Sequence, residues 1–372
     1  MAETRVAVRS AEYMENALRL IQQHVHRVHK RSLNATDLLT PSDLDVIARV
    51  TGCLAVCQPP LCKDDCFTDR YRTFTSVCNN RTMLNPTMFT GDVRVNEHNE
   101  QLGVLTFHMV FLRKHNCLAR ELKKLNPHWS GDTTCQEVRK TLGAFPQIIN
   151  HRDFASLIIG NGATQKFLPP YEDYNEFINP GVANIVSTAA FRFRHLSIQP
   201  KIFCLNENFQ EHPQFKIIDL ETDQGSKFRS LSLAPSGVDP LMWGLLGKPA
   251  KLQKQDKMLP DKLREKLFEL TAHLGVDLGA LNMQCSRDHG IPGYNAWRRF
   301  CSLSAPKDQR ELAQVLHNFD LAKKVISLYR TPENIGVWLG AVSEPFVKGG
   351  KVGPFLVCLI GQQFKNLRDG NR

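Results

Sequence analysis

The apolar residues between positions 102 and 125 recur every three or four places, which is the period of one face of an α-helix. The pattern stops at Asn126-Pro127, and proline disfavours helical geometry in the residue before it. Similar patterns occupy residues 138–159, 260–274 and 311–329. Alternation of the strand type is scarce, and glycine and proline lie mostly between the helical segments. The sequence therefore predicts a mainly α-helical domain.

The size and charge of the chain exclude some classes of protein. With 372 residues and 42% hydrophobic content it can bury a sizeable core, as one large domain or one domain with an appendage. No run of eighteen apolar residues occurs, so we expect no transmembrane helix. The net charge of +10 is spread along the chain without a recognition-helix or stacked-aromatic pattern. We therefore expect no nucleic-acid binding, and interpret the charge as an aid to solubility.

Five of the eleven cysteines lie close together, between residues 53 and 78. The pair Cys62 and Cys66 lacks the usual spacing of zinc ligands and no paired histidines follow, which favours disulfides over metal. An odd number of cysteines leaves at least one thiol unpaired. Asn34 and Asn80 begin short glycosylation patterns. These features predict a glycoprotein of an oxidising compartment, although the first residues do not form a signal peptide.

His195 is a candidate metal ligand. It follows the run AAFRFR, in which Ile185, Ala189 and Phe193 would share one face of a helix. A histidine binds a metal through one ring nitrogen when another group accepts the proton of the second nitrogen, and the distant Asn282 offers such an acceptor. The alternative is a hydrogen-bonded histidine of the core with no ligand.

These two segments, with YRTFTSVCNNR at residues 71–81, LRKHNCLA at 112–119 and RDHGIPGYNAWR at 287–298, resemble the animal haem peroxidases. The resemblance implies an animal haem peroxidase-like helical domain that binds haem b. It implies that His195 is the axial ligand of the haem iron and that Asn282 holds its second nitrogen. Arg192 would lie near the haem propionates, whose negative charge it would offset.

The segment GDVRVNE at residues 91–97 resembles the family segment on the opposite, distal face of the haem. The resemblance implies that the guanidinium of Arg94 assists cleavage of the peroxide O–O bond. It also implies that Glu97 forms an ester link to the haem. By itself an Arg-x-x-Glu pattern is equally typical of a helix-surface ion pair.

Two positions near the expected haem pocket depart from the family pattern, and a third is interpreted as structural. Cys285 stands where relatives usually have an arginine near the propionates, and Arg194 replaces the common glycine before the histidine ligand. Either change is expected to disturb the seating of haem. His289, in the turn SRDHG, is interpreted as a structural residue that supports the ligand side of the pocket.

Only residues 82–90 separate the first family block from the distal segment. In relatives a long stretch there supplies the distal histidine, an aspartate that forms a second haem ester, and a calcium-binding loop. The domain is therefore expected to be internally truncated and to lack the calcium site. Loss of the acid–base group would lower the rate by roughly two to four orders of magnitude.

The resemblance implies peroxide-dependent oxidation of halide or aromatic donors, with hydrogen peroxide and a small donor as partners, in an extracellular or secretory location. We predict a propeptide-like helical segment and cysteine-rich linker over residues 1–70, and the peroxidase-like domain over 71–372. The first alternative is a remnant that binds haem without catalysis or acts through its surfaces. The second is a basic module that binds nucleic acid or heparin, which salt-dependent retention would reveal.

Overall fold

The computed structural model describes residues 102–213, 217–219, 238–267 and 275–371, and in these ranges the chain is mainly helical, as predicted. The α-helices in chain order are α1 (Leu102–Leu125), α2 (Gly131–Ile148), α3 (Ala155–Ile159), α4 (Asn161–Phe167), α5 (Asn184–Thr188), α6 (Asp239–Gly247), α7 (Asp261–Glu265), α8 (Leu278–Asp288), α9 (Tyr294–Phe300), α10 (Gln309–Leu316), α11 (Phe319–Tyr329), α12 (Val337–Ser343) and α13 (Pro354–Asp369). A short antiparallel pair, β1 (Lys201–Phe203) and β2 (Ile217–Asp219), places Ile202 opposite Ile218. No helix in these ranges is long and apolar enough to span a bilayer.

The helices α1 and α2 form the first helical hairpin. Helix α1 ends at Leu125, as the position of Pro127 predicted. Ser130 caps α2, since its hydroxyl accepts the backbone N–H of Thr133 at 3.0 Å. A π-helical turn at Ile149–Phe154 joins α2 to α3, so the prediction of one helix or a pair of helices over residues 138–159 is confirmed.

The segment that carries His195 is not one helix. Helix α5 ends at Thr188, the backbone of Ala189 leaves helical geometry at φ −136°, and a 3-10 helix follows at Ala190–Ser197. The prediction of a continuous helix was therefore wrong. Ile185, Ala189 and Phe193 are nevertheless all buried, because a break between two short helical pieces can still direct their side chains to the same core.

Two other helical segments also differ from expectation. Residues 311–329 form two helices, since His317 adopts the left-handed conformation at φ 51° and Asn318 then caps α11 through the N–H of Leu321. Helix α7 covers only Asp261–Glu265 of the helix predicted over 260–274, and residues 268–274 lie outside the described residues.

The core is built around the C-terminal helices α12 and α13. Tyr294 of α9 is fully buried, its hydroxyl donates to the carboxylate of Glu344, and Arg298 forms an ion pair with the same carboxylate. Gly340 of α12 faces the tyrosine ring, where a Cβ atom would lie 2.4 Å from the ring. Because any side chain there would collide with the ring, α12 can approach α9 this closely only with glycine.

A disulfide joins Cys301, at the end of α9, to Cys358 in α13, with the two Cα atoms 6.0 Å apart. The sequence predicted disulfides in the cluster between residues 53 and 78, which lies outside the described residues. The Cys301–Cys358 pair was not foreseen, because its members are 57 residues apart and only the fold brings them together. The boundary predicted at residue 70 also lies outside the described part of the chain.

Candidate cofactor-binding site

The fold brings His195 and Asn282 together from positions 87 residues apart. His195 is carried by the 3-10 helix, and Asn282 lies in the middle of α8. The Nδ1 atom of His195 is 3.1 Å from Oδ1 of Asn282. An amide oxygen can only accept, so Nδ1 must carry the ring proton and Nε2 keeps its lone pair. No hydrogen bond to Nε2 occurs among the described residues, so the lone pair of this nitrogen is available to a metal ion.

Arg192 fixes the orientation of the asparagine amide. Its Nη1 atom lies 3.3 Å from the same Oδ1 of Asn282, and its Nε donates to the carbonyl oxygen of Ser187. Because a guanidinium can only donate, the atom that it contacts must be the amide oxygen, and Nδ1 of His195 must then be the donor to it. Asn282 is fully buried, and its Nδ2 has no hydrogen-bond partner within the described ranges. The amide of Asn282 is thus oriented so that its oxygen accepts from both side chains, while its Nδ2 group is left without an acceptor among the described residues.

The electrostatic surroundings keep the imidazole neutral. Burial lowers the pKa of His195, and the positive charges of Arg192 and Arg194 lower this pKa further, while the bond to Asn282 opposes the shift. Only the neutral ring can donate a lone pair to a metal, so the environment favours the ligating form at neutral pH.

His195 opens onto a cavity of about 950 Å³. This volume falls in the range of cofactor sites, roughly 300–1,000 Å³. The basic groups on its wall are Arg192, Arg194, His151 and His195, and none of the described residues that line it is an aspartate or a glutamate. The remaining wall is mainly apolar and includes Val182, Val186, Phe191, Ile198, Leu263, Leu267, Leu278, Leu281, Ile360, Phe364 and Leu367. A haem group combines a flat apolar ring with two carboxylates, so the cavity fits haem in size, polarity and charge.

His151 is a second cavity histidine that the sequence analysis missed. Its Nδ1 donates to the carbonyl oxygen of Gln147 at 2.9 Å, and its ring packs edge-on against Phe364. Its Nε2 is buried and has no hydrogen-bond partner among the described residues. The sequence contained no signal for it, because the residues around it show only the ordinary helical period.

The two departures from the family pattern lie in different surroundings. The guanidinium of Arg194 lies over the rings of Phe154 and Phe191, 5.1 Å and 5.9 Å from their centroids. It adds a positive charge to the cavity wall without interrupting the bond between His195 and Asn282. Cys285 is a partly exposed free thiol and does not line the cavity.

The turn after α8 is structural, as interpreted from the sequence. Nδ1 of His289 lies 2.9 Å from Oδ1 of Asn184, and Gly290 adopts φ 62° in the turn. This bond joins the end of the helix that carries Asn282 to the start of α5, just ahead of the His195 segment. Arg94 and Glu97, by contrast, lie outside the described residues, and their assignments stay predictions.

Comparison with known proteins agrees with this geometry. The family model of the animal haem peroxidases matches residues 49–372. Eosinophil peroxidase of Mus musculus is 46% identical over 293 residues, and lactoperoxidase of Homo sapiens is 47% identical over 294 residues. Each alignment covers 79% of this chain and 40% of the relative, so the chain spans well under half the length of these curated proteins.

Solved structures show the same fold. Peroxidase A from Dictyostelium discoideum superposes with a TM-score of 0.64 at 27% identity, over 73% of this chain and 50% of the other. A fatty acid alpha-dioxygenase from Arabidopsis thaliana has a TM-score of 0.56 at 15% identity, over 73% of this chain and 47% of the other, which is a likeness of fold. With the match over residues 49–372, these findings show that the chain belongs to the animal haem peroxidase family.

Proposed function

We propose that this chain binds haem b in the His195 cavity and is an impaired haem peroxidase, which uses hydrogen peroxide to oxidise halide or aromatic donors. The observation that carries the proposal is the bond from His195 Nδ1 to Asn282 Oδ1, which leaves Nε2 available to a cofactor. His195 would ligate the iron, Asn282 would orient the ring, and Arg192 would offset propionate charge. Bound haem would supply the redox centre of the reaction.

The distal face is proposed from the family resemblance. Arg94 would hold a positive charge beside the peroxide, and Glu97 would link the haem covalently. Because guanidinium stays protonated at ordinary pH, Arg94 cannot replace a missing base. With only residues 82–90 in place of the distal histidine block, we propose that turnover is impaired by roughly two to four orders of magnitude and that the calcium site of the family is absent.

A second candidate is a protein that binds haem without catalysis, or that acts through interaction surfaces. The short link at residues 82–90 favours it, because the ligand side of the pocket is intact while the distal side is reduced. For either candidate we propose a glycoprotein of the extracellular space or secretory pathway. The Cys301–Cys358 disulfide supports this location, since disulfides persist mainly in oxidising compartments.

Reconstitution with hemin tests the proposal. The protein is titrated with hemin, and the Soret band is recorded for the wild type, for His195→Ala and for His151→Ala. His151 is the control, because it lines the same cavity and its Nε2 also has no hydrogen-bond partner among the described residues, so the two variants show which histidine holds the iron. We expect the wild-type Soret shift to survive in His151→Ala and to disappear in His195→Ala.

Oxidation of an aromatic donor by hydrogen peroxide then separates the two candidates. Slow turnover that requires His195 supports an impaired peroxidase, whereas tight hemin binding without turnover above free hemin supports the non-catalytic alternative. A spectrum that does not respond to His195→Ala contradicts haem binding in either candidate and leaves a protein that acts through its surfaces.

A further inference from the structure

A cysteine, a histidine and an asparagine meet on the surface where α1 packs against α2, away from the haem cavity. The Sγ atom of Cys135 lies 3.7 Å from Nε2 of His115, across the two helices. Nδ1 of the same histidine lies 3.3 Å from Oδ1 of Asn116. Both Cys135 and Asn116 are exposed, so reagents in solution can reach the thiol.

The asparagine determines which nitrogen of His115 can act as a base. Because its Oδ1 only accepts, Nδ1 of His115 carries the ring proton, and the lone pair of Nε2 points to the thiol. A thiol beside an imidazole base that is itself oriented by a third group is the arrangement by which proteins activate a cysteine nucleophile.

We propose that Cys135 is a reactive thiol, with His115 as its base and Asn116 as the positioning residue, and that it exchanges with low-molecular-weight disulfides. Sγ attacks one sulfur of the disulfide, a new S–S bond forms, and the second sulfur leaves as a thiolate. The proton of Cys135 passes to Nε2 of His115 and from there to the leaving thiolate. Cys135 becomes a mixed disulfide, and half of the small disulfide is reduced to a thiol.

The chain contains its own control. Cys117 is another exposed free thiol, one helical turn beyond the charged pair Arg113 and Lys114, and no hydrogen bond to its sulfur occurs in the described ranges. A base beside a thiol takes up its proton as the sulfur attacks, so Cys135 should react faster than a thiol that has no such neighbour. At the long Sγ–Nε2 distance we expect about a tenfold advantage of Cys135 over Cys117.

The test labels the purified protein with iodoacetamide at pH 7 and follows each cysteine peptide by mass spectrometry. We expect Cys135 to react about tenfold faster than Cys117 in the wild type. The variant His115→Gln keeps a polar side chain but removes the base, and should bring the two rates close together. Cys204 is fully buried, so its failure to react shows that the variant is folded. With glutathione disulfide as the second reagent, the adduct should form first on Cys135.

Equal rates at Cys135 and Cys117 in the wild type overturn the proposal without need of any variant. A folded His115→Gln protein that keeps the wild-type rate ratio also overturns it, because the advantage would then come from exposure or from neighbouring charges. The experiment needs no haem, and its result is independent of the function proposed for the cavity.

Discussion

Replacement of Asn282 by alanine perturbs both the stability of the fold and the affinity for haem. The substitution removes the acceptor of His195 Nδ1 and one of the acceptors of Arg192, which keeps its bond to the carbonyl of Ser187. A net hydrogen bond between neutral groups contributes about 1 kcal/mol, and one to a charged group about 1.5–3 kcal/mol. Both donors are only partly buried, and water can partly replace the acceptor, so we expect the free energy of unfolding to fall by about 2–3 kcal/mol.

Urea denaturation at neutral pH measures this loss. The matched control is Asn366→Ala, which removes a partly exposed amide acceptor of Gln362 on α13 and should change the stability by less than about 0.5 kcal/mol. Hemin titration gives the second measurement. Without its acceptor the ring of His195 is no longer held in one tautomer, and loss of such a supporting group typically lowers metal affinity by about 10–100-fold.

The two measurements together can refute the reasoning. If Asn282→Ala unfolds at the wild-type urea concentration and binds hemin with unchanged affinity, the asparagine neither stabilises the fold nor orients the ring of His195. If stability falls while hemin affinity is unchanged, the bond is structural and the ring is held by its packing.

Three further predictions concern the core and the pH dependence. Arg298→Leu leaves the buried carboxylate of Glu344 without its cation and should lower the free energy of unfolding by about 3–5 kcal/mol in urea denaturation; an effect below 1 kcal/mol would show that the pair is solvated. Cys301→Ser opens a cross-link to Cys358 that spans 57 residues and should cost about 4 kcal/mol, measured against the wild type without reductant. Burial lowers the pKa of His195, so the unfolded chain takes up the proton first. The contribution of neutral His195 to the free energy of unfolding should be fully present above pH 6.5 and decrease as the pH falls through the lower pKa of the folded state. His195→Gln should flatten that part of the profile, and an unchanged profile would exclude His195 as the titrating group.

The local patterns of the sequence were sufficient for the helical class and for several boundaries. Pro127 marked the end of α1, and the apolar period marked α2 and α3. The apolar period predicted one continuous helix where the backbone in fact breaks, at Ala189 and at His317 and Asn318. Burial of one face is compatible with one helix or with two, so periodicity cannot distinguish them.

For the site, the sequence by itself determined which residue types could hold a haem. His195 and Asn282 were paired through family resemblance, because nothing in either segment specifies a partner 87 residues away. Only the tertiary structure decided that Arg192 donates to the same amide oxygen, that His151 lines the cavity, and that Arg194 lies on aromatic rings beside His195. The physical reason is the range of the interactions: helical period and caps act over three or four residues, whereas hydrogen bonds and cavities arise from helices that meet only after the chain has folded.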